Sequence, residues 1–138
     1  MTEEEARAWL GSRFGEGALR HLERFVALLL AESERQSLIA RSTTESTWAR
    51  HIVDSAQLVD MAPSTGTWVD VGSGGGLPGI VVAILRDAPL VMIEPRRKRA
   101  DFLLWASEQL ELPNATVIQG SVQGYDGHAD VLSARAVA

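Results

Sequence analysis

Apolar positions recur with a helical period through the first 62 residues and then switch to short, dense runs. In the first part, Ala6, Trp9, Leu10 and Phe14 form one stripe, opened by Thr2 and Glu5 at the spacing of a capping box. Gly15 to Gly17 interrupt it, and Leu19, Leu22, Val26, Leu29 and Leu30 then mark the inner side of a second helix. Ser42 with Glu45 repeats the capping spacing and predicts a third helix that carries Trp48, Ile52, Ser55 and Val59 inward. All four tryptophans (Trp9, Trp48, Trp68 and Trp105) fall on such stripes or on strands and are expected in the core.

After "PSTG" (Pro63 to Gly66) the pattern changes. "TWVDV", "PLVMIE", "ATVIQG" and "ADVLSA" read as strands, and "PGIVVAILR" and "RRKRADFLLWASEQL" as helices between the first three. Alternation of this kind, with strands that are almost wholly apolar, predicts a parallel sheet covered by helices. The expected architecture is a single α/β domain over residues 1–138: a helical cap at 1–62 and a Rossmann-like sheet beginning at 63. The chain ends at Ala138, just past the fourth strand. The sheet is therefore expected to be incomplete, with an open edge through which copies could associate.

Between the first strand and its helix lies "VDVGSGGGLPGI", Val69 to Ile80. Glycines cost backbone entropy on folding, so a cluster there implies a need for bare backbone. In sheets of this kind ligands sit beyond the carboxyl ends of the strands, where Gly72, Gly74 and Gly76 would let one approach. Residues 74–79 also satisfy G-x-G-x-x-G, which makes a dinucleotide such as NAD one candidate. Asp70 argues against it, because a carboxylate at the strand end opposes a docked pyrophosphate. It suits S-adenosylmethionine, which carries an ammonium and a sulfonium. Glu94, at the end of the second strand, would accept hydrogen bonds from ribose hydroxyls in either ligand.

Charge narrows the partners. Thirteen basic against eighteen acidic residues give a net charge of −5, which excludes a surface that binds nucleic acid everywhere but not a local basic site. Arg96, Arg97, Lys98 and Arg99 open a predicted helix, at the end whose dipole favours anions. They point either to an external phosphate or to a solvated face. Arg50, His51 and Asp54 share a face of the third helix, and Arg135 follows the fourth strand at the rim of the sheet. With no cysteine, disulfides and thiolate metal sites are excluded, and no metal site is expected. The acidic start is unlike a signal peptide, and the longest apolar run, Phe25 to Ala31, is too short for a membrane span. A cytoplasmic protein without membrane contact is expected.

"RHIVDSAQL" (Arg50 to Leu58), "DVGSGGGLPGI" (Asp70 to Ile80), "IEPRRKRADFL" (Ile93 to Leu103) and "SARAVA" (Ser133 to Ala138) occur in that order. Together they resemble the bacterial small-subunit ribosomal RNA guanine-N7 methyltransferases, formerly called glucose-inhibited division protein B. The resemblance implies a class I S-adenosylmethionine-dependent methyltransferase fold. It further implies methyl transfer to N7 of one guanine in 16S ribosomal RNA, with that RNA or a small-subunit precursor as partner. Cofactor contacts would then fall on Gly72, Leu77, Val122, Gln123 and Arg135, beside the acidic positions Asp70 and Glu94. His51, Asp54, Lys98 and Arg99 would face cofactor or RNA. Guanine N7 carries a lone pair and no proton, so no catalytic acid or base is expected. The family pattern continues beyond "RAVA", which implies a C-terminal truncation. The alternatives are an NAD-dependent oxidoreductase fragment and a cofactor-binding module without catalysis.

Overall fold

The computed structural model describes residues 1–134. Four parallel strands form the sheet: β1 (Trp68–Val71), β2 (Leu90–Glu94), β3 (Ala115–Gln119) and β4 (Val131–Ala134), in the order β3-β2-β1-β4. Every predicted strand is present. Trp68 stands opposite both Leu90 and Val131, and Asp70 opposite both Met92 and Ser133. Helix α4 (Gly79–Leu85) links β1 to β2, and α5 (Arg97–Gln109) links β2 to β3. The order then reverses, since β4 lies on the other side of β1. That reversal creates a crevice above the carboxyl ends of β1 and β4. Burial follows the same logic. β1 and β2 are largely buried, whereas β3 and β4 are the outer strands, and Leu132 is 65% exposed.

The cap comprises α1 (Glu3–Phe14), α2 (Glu16–Ser33) and α3 (Val53–Met61). Leu10, Leu22, Phe25 and Leu29 from it join Trp68, Ile80, Met92 and Leu103 in one hydrophobic cluster. His21 and Arg24 of α2 donate to the carbonyls of Leu110 and Gln109, closing the carboxyl end of α5. The Thr2–Glu5 capping box forms as expected. The one read at Ser42 and Glu45 does not. Arg41–Ser46 is a 3₁₀ turn, followed by a π turn at Trp48–Ile52 that leads into α3. The physical reason lies far away in sequence: Glu3 of α1 accepts the N–H groups of Trp48 and Ala49 at 3.0 and 2.8 Å. A carboxylate from another helix thus takes the first donors of the turn that leads into α3, past the Ser42–Glu45 segment. Trp105 is the second departure. Trp68 and Trp48 are buried, but Trp105 on α5 is 47% exposed.

Two side chains fix the entry to the sheet. Arg86 is buried and donates to the carbonyls of Pro63, Thr65 and Gly66, with its guanidinium over the Trp68 ring. Burial lowers its pKa. Asp130, just before β4, accepts from the Thr67 N–H at 2.8 Å and pairs with His128 at 2.6 Å. The His128 contact, then the Thr67 N–H, holds the Asp130 carboxyl below its usual range. A depressed carboxylate stabilises fully above its unfolded-state pKa of about 3.9, and that stabilisation is lost as pH falls through the folded value. Asp130→Asn is therefore expected to flatten the acid-side decline in thermal midpoint. Identical pH profiles for the two proteins would show that Asp130 carries none of it.

Candidate cofactor cavity

The glycine loop is held from beneath by Asp70. This carboxylate is fully buried at the end of β1. Its Oδ2 accepts from the Ser73 hydroxyl at 2.8 Å and the Gly79 N–H at 3.1 Å, while Oδ1 accepts from the Ser133 hydroxyl at 2.8 Å. Ser133 in turn accepts from the indole N–H of Trp68. The arrangement ties β4, the loop and the first N–H of α4 to one anion, where the helix dipole also favours it. Asp70 thus shapes the loop from below. Ser73 and Ser133 complete this network, and no sequence pattern distinguished them from other serines.

Each glycine of the loop answers a different need. Gly72 has φ +71°, and a methyl built on it would meet nothing within 4 Å. Its α-carbon therefore faces open space. Gly79 is the opposite case: a methyl there would come within 2.7 Å of Met92 and 2.9 Å of Asp70 Oδ2. Gly75 packs in the same way against Leu29 and Leu38 of the cap, and Gly76 against Ile80. Gly76, named beside Gly72 and Gly74 as a ligand contact, is buried in this packing.

Above the loop is a cavity of about 250 Å³, lined by Gly72, Ser73, Gly74, Gly75 and Leu77 on one side. Leu38, Ile39, Ala40, His51 and Arg99 line the other. Glu94, at the end of β2 and 3% exposed, does not itself line the cavity but holds its wall, accepting from the N–H groups of Gly74 and Arg96 at 2.8 and 2.9 Å. Each oxygen holds one backbone donor and keeps capacity for a second.

The structure divides the basic cluster. Arg99 lies over the loop, its guanidinium donating to the Ser37 carbonyl. Arg96, Arg97 and Lys98 are exposed. Arg97 pairs loosely with Asp101 at 3.8 Å, and Lys98 lines a separate groove. His51 reaches the cavity from the π turn, with Nε2 2.9 Å from the Thr43 hydroxyl, which itself donates to the Ala40 carbonyl. Thr43 spends its proton on Ala40, so the His51 contact is an Nε2–H donation. Asp54 is exposed on the first turn of α3 and Arg50 on the π turn. Val122 and Gln123 form an exposed 3₁₀ turn beyond the carboxyl end of β3. Arg135 lies outside the described residues. Among the described residues no cluster of three or more metal-ligating side chains occurs, and no helix is long and apolar enough to cross a membrane.

The model of the family described as rRNA small subunit methyltransferase G matches residues 18–138. A ribosomal RNA small subunit methyltransferase G from Rhizorhabdus wittichii is 48% identical over 144 aligned positions, covering 100% of this chain and 66% of its own length. That of Sphingopyxis alaskensis is 44% identical, covering 99% of this chain and 60% of its own. The chain therefore spans 60–66% of the length of these two curated relatives. A solved structure from Methanococcus maripaludis, provisionally assigned as an S-adenosyl-L-methionine-dependent methyltransferase, shares the fold. It aligns with a TM-score of 0.59 at 18% identity, covering 80% of this chain and 48% of its own. The sheet, its helices and the glycine loop are thus the Rossmann-like α/β fold of class I methyltransferases. With a family model matched over residues 18–138, the chain belongs to the rRNA small subunit methyltransferase G family.

Proposed function

We propose that this chain forms the S-adenosylmethionine site of a methyltransferase that acts in the cytoplasm on N7 of a guanine in 16S ribosomal RNA, free or in a small-subunit precursor. The observation that carries the reading is the open face of Gly72 above β1, with Glu94 holding the Gly74 N–H at the end of β2. A nucleoside fits these groups. The space beside Gly72 is a cradle that any side chain would fill, and Glu94 keeps acceptor capacity for two hydroxyls. S-adenosylmethionine would supply an electrophilic methyl group on a sulfonium. Gly72, Gly74 and Leu77 would hold it from below, and Glu94 would orient its ribose. Val122 and Gln123 would flank its base, and Arg135 would complete the rim.

The chain's own work is positioning. N7 of guanine is a nucleophile without losing a proton, so none of the residues here needs to act as a base. Aligning the acceptor nitrogen with the methyl carbon can supply much of a rate enhancement. Arg99 puts a permanent positive charge at the cavity, and Arg96 to Lys98 extend it over the surface, where RNA phosphates would meet it. His51, Arg50 and Asp54 present polar groups from the cap side.

Calorimetric titration with S-adenosylhomocysteine, with NAD as control, tests the reading. Saturable binding of the first alone is expected. Binding of NAD alone would overturn it, and so would failure to methylate 16S ribosomal RNA by a protein of full family length that binds the cofactor.

A further inference from the structure

We propose that the groove beside Trp105 holds an unpaired nucleobase of single-stranded RNA, giving the chain a second grip on its substrate away from the glycine loop. The proposal rests on the RNA-directed reading above and extends it. An exposed tryptophan by itself says nothing. Here three observations coincide.

First, the ring borders a groove of about 420 Å³, within the range of small-molecule sites, between the end of α2 and one face of α5. Phe102 backs the ring at a centroid distance of 6.4 Å, which steadies it while leaving it 47% exposed. Second, the polar groups around it suit a nucleotide. Lys98 stands two helical turns before Trp105 on the same face, and Arg35 lies on the opposite wall with its side chain 82% exposed. These are cations for phosphate at either side of an aromatic platform. Glu32, which holds Arg35 at 3.5 Å and Gln36 at 2.9 Å, and Asp101, paired loosely with Arg97, keep further lone pairs for base amino groups or ribose hydroxyls.

Third, the groove and the proposed cofactor site are neighbours across the 35–40 segment. An intervening cavity of about 670 Å³ shares Arg35 and Gln36 with the groove, and Ile39 and Ala40 with the glycine-loop cavity. Arg41 lines it too. Arg35 and Arg41 of the 34–41 segment, with Lys98 and Arg99 of α5, therefore put a cation on each of these three cavities. A protein partner fits less well, because both walls of the groove carry charged side chains and a stable protein interface needs a broader apolar centre.

The test uses the chain itself and a mixed-sequence single-stranded RNA of about 12 nucleotides, followed by anisotropy and tryptophan emission. Stacking on Trp105 should quench emission, and Trp105→Ala should remove the quench. Base–aromatic stacking of about 1–3 kcal/mol corresponds to a loss of roughly 5- to 150-fold in affinity. Trp105→Phe should keep most of the affinity, and the salt slope should not change in either variant. Lys98→Ala should lower that slope by about 1. S-adenosylhomocysteine binding should be the same in the tryptophan variants as in the parent.

RNA binding that ignores Trp105→Ala would overturn the groove and leave the methyltransferase reading standing. RNA binding that depends on Trp105 in a chain indifferent to S-adenosylhomocysteine would do the reverse. No RNA binding at all, or self-association lost on Trp105→Ala without any RNA-dependent quench, would also overturn the groove.

Discussion

Asp70→Ala should cost the fold about 2–4 kcal/mol, a large fraction of the roughly 5–15 kcal/mol that holds an ordinary domain together. The carboxylate accepts from Ser73, Ser133 and Gly79, and these donors differ in what they can do without it. Ser73 can turn to the Asp70 carbonyl, 3.1 Å from its hydroxyl. Ser133 loses its acceptor while still receiving the Trp68 indole N–H. The Gly79 N–H, buried at the start of α4, has no substitute and bears the full desolvation penalty. Asp70→Asn should be milder, since a rotated Ser133 hydroxyl can accept from the new amide. Urea unfolding of the two variants measures the difference. An alanine variant as stable as the parent would mean that Asp70 serves the ligand and not the loop.

Two glycine substitutions should separate folding from binding. Gly79→Ala drives a methyl into Met92 and Asp70 at 2.7 and 2.9 Å. Overpacking of this kind costs about 1–3 kcal/mol, because α4 must lift from β2. At Gly72 the added methyl meets nothing, so the stability cost is about 1 kcal/mol for the positive φ. There the loss should appear in the cavity: a misplaced methyl worth about 1–3 kcal/mol lowers S-adenosylhomocysteine affinity roughly 5- to 150-fold. Calorimetry on Gly72→Ala, beside thermal melts of both variants, checks the split. Unchanged cofactor affinity in Gly72→Ala would remove the cradle from the proposed site.

The sheet was legible because its signals are local. Four apolar runs, the breaks between them and the glycine loop lie in continuous stretches, and β1 to β4 fall inside the predicted segments. The start of the third cap helix was not. Ser42 and Glu45 have the right spacing, but Glu3 reaches the same helix from the chain's other end, and no window along the sequence contains both. Trp105 was misread for another reason. Leu103, Leu104, Trp105 and Ala106 are consecutive and apolar, so periodicity cannot say which side of α5 faces inward. Packing resolves it: Leu103 and Ala106 are buried, Leu104 and Trp105 exposed. Within the site, the candidate contacts Gly72, Gly74, Leu77 and Arg99 line one cavity, and Glu94 holds the Gly74 N–H behind it. The hydroxyls that fix Asp70 went unnoticed, since a serine carries its meaning only through the partner that folding brings to it.

The hold of Glu3 on Trp48 and Ala49 makes the first turn of α1 a retaining pin for a distant part of the molecule. Loss of the Glu3 carboxylate would leave the sheet's own strands intact. It would nevertheless free the π turn at its root and, with it, the setting of His51. Damage to that turn would therefore be felt first beside the glycine loop, and not in the strands that carry it.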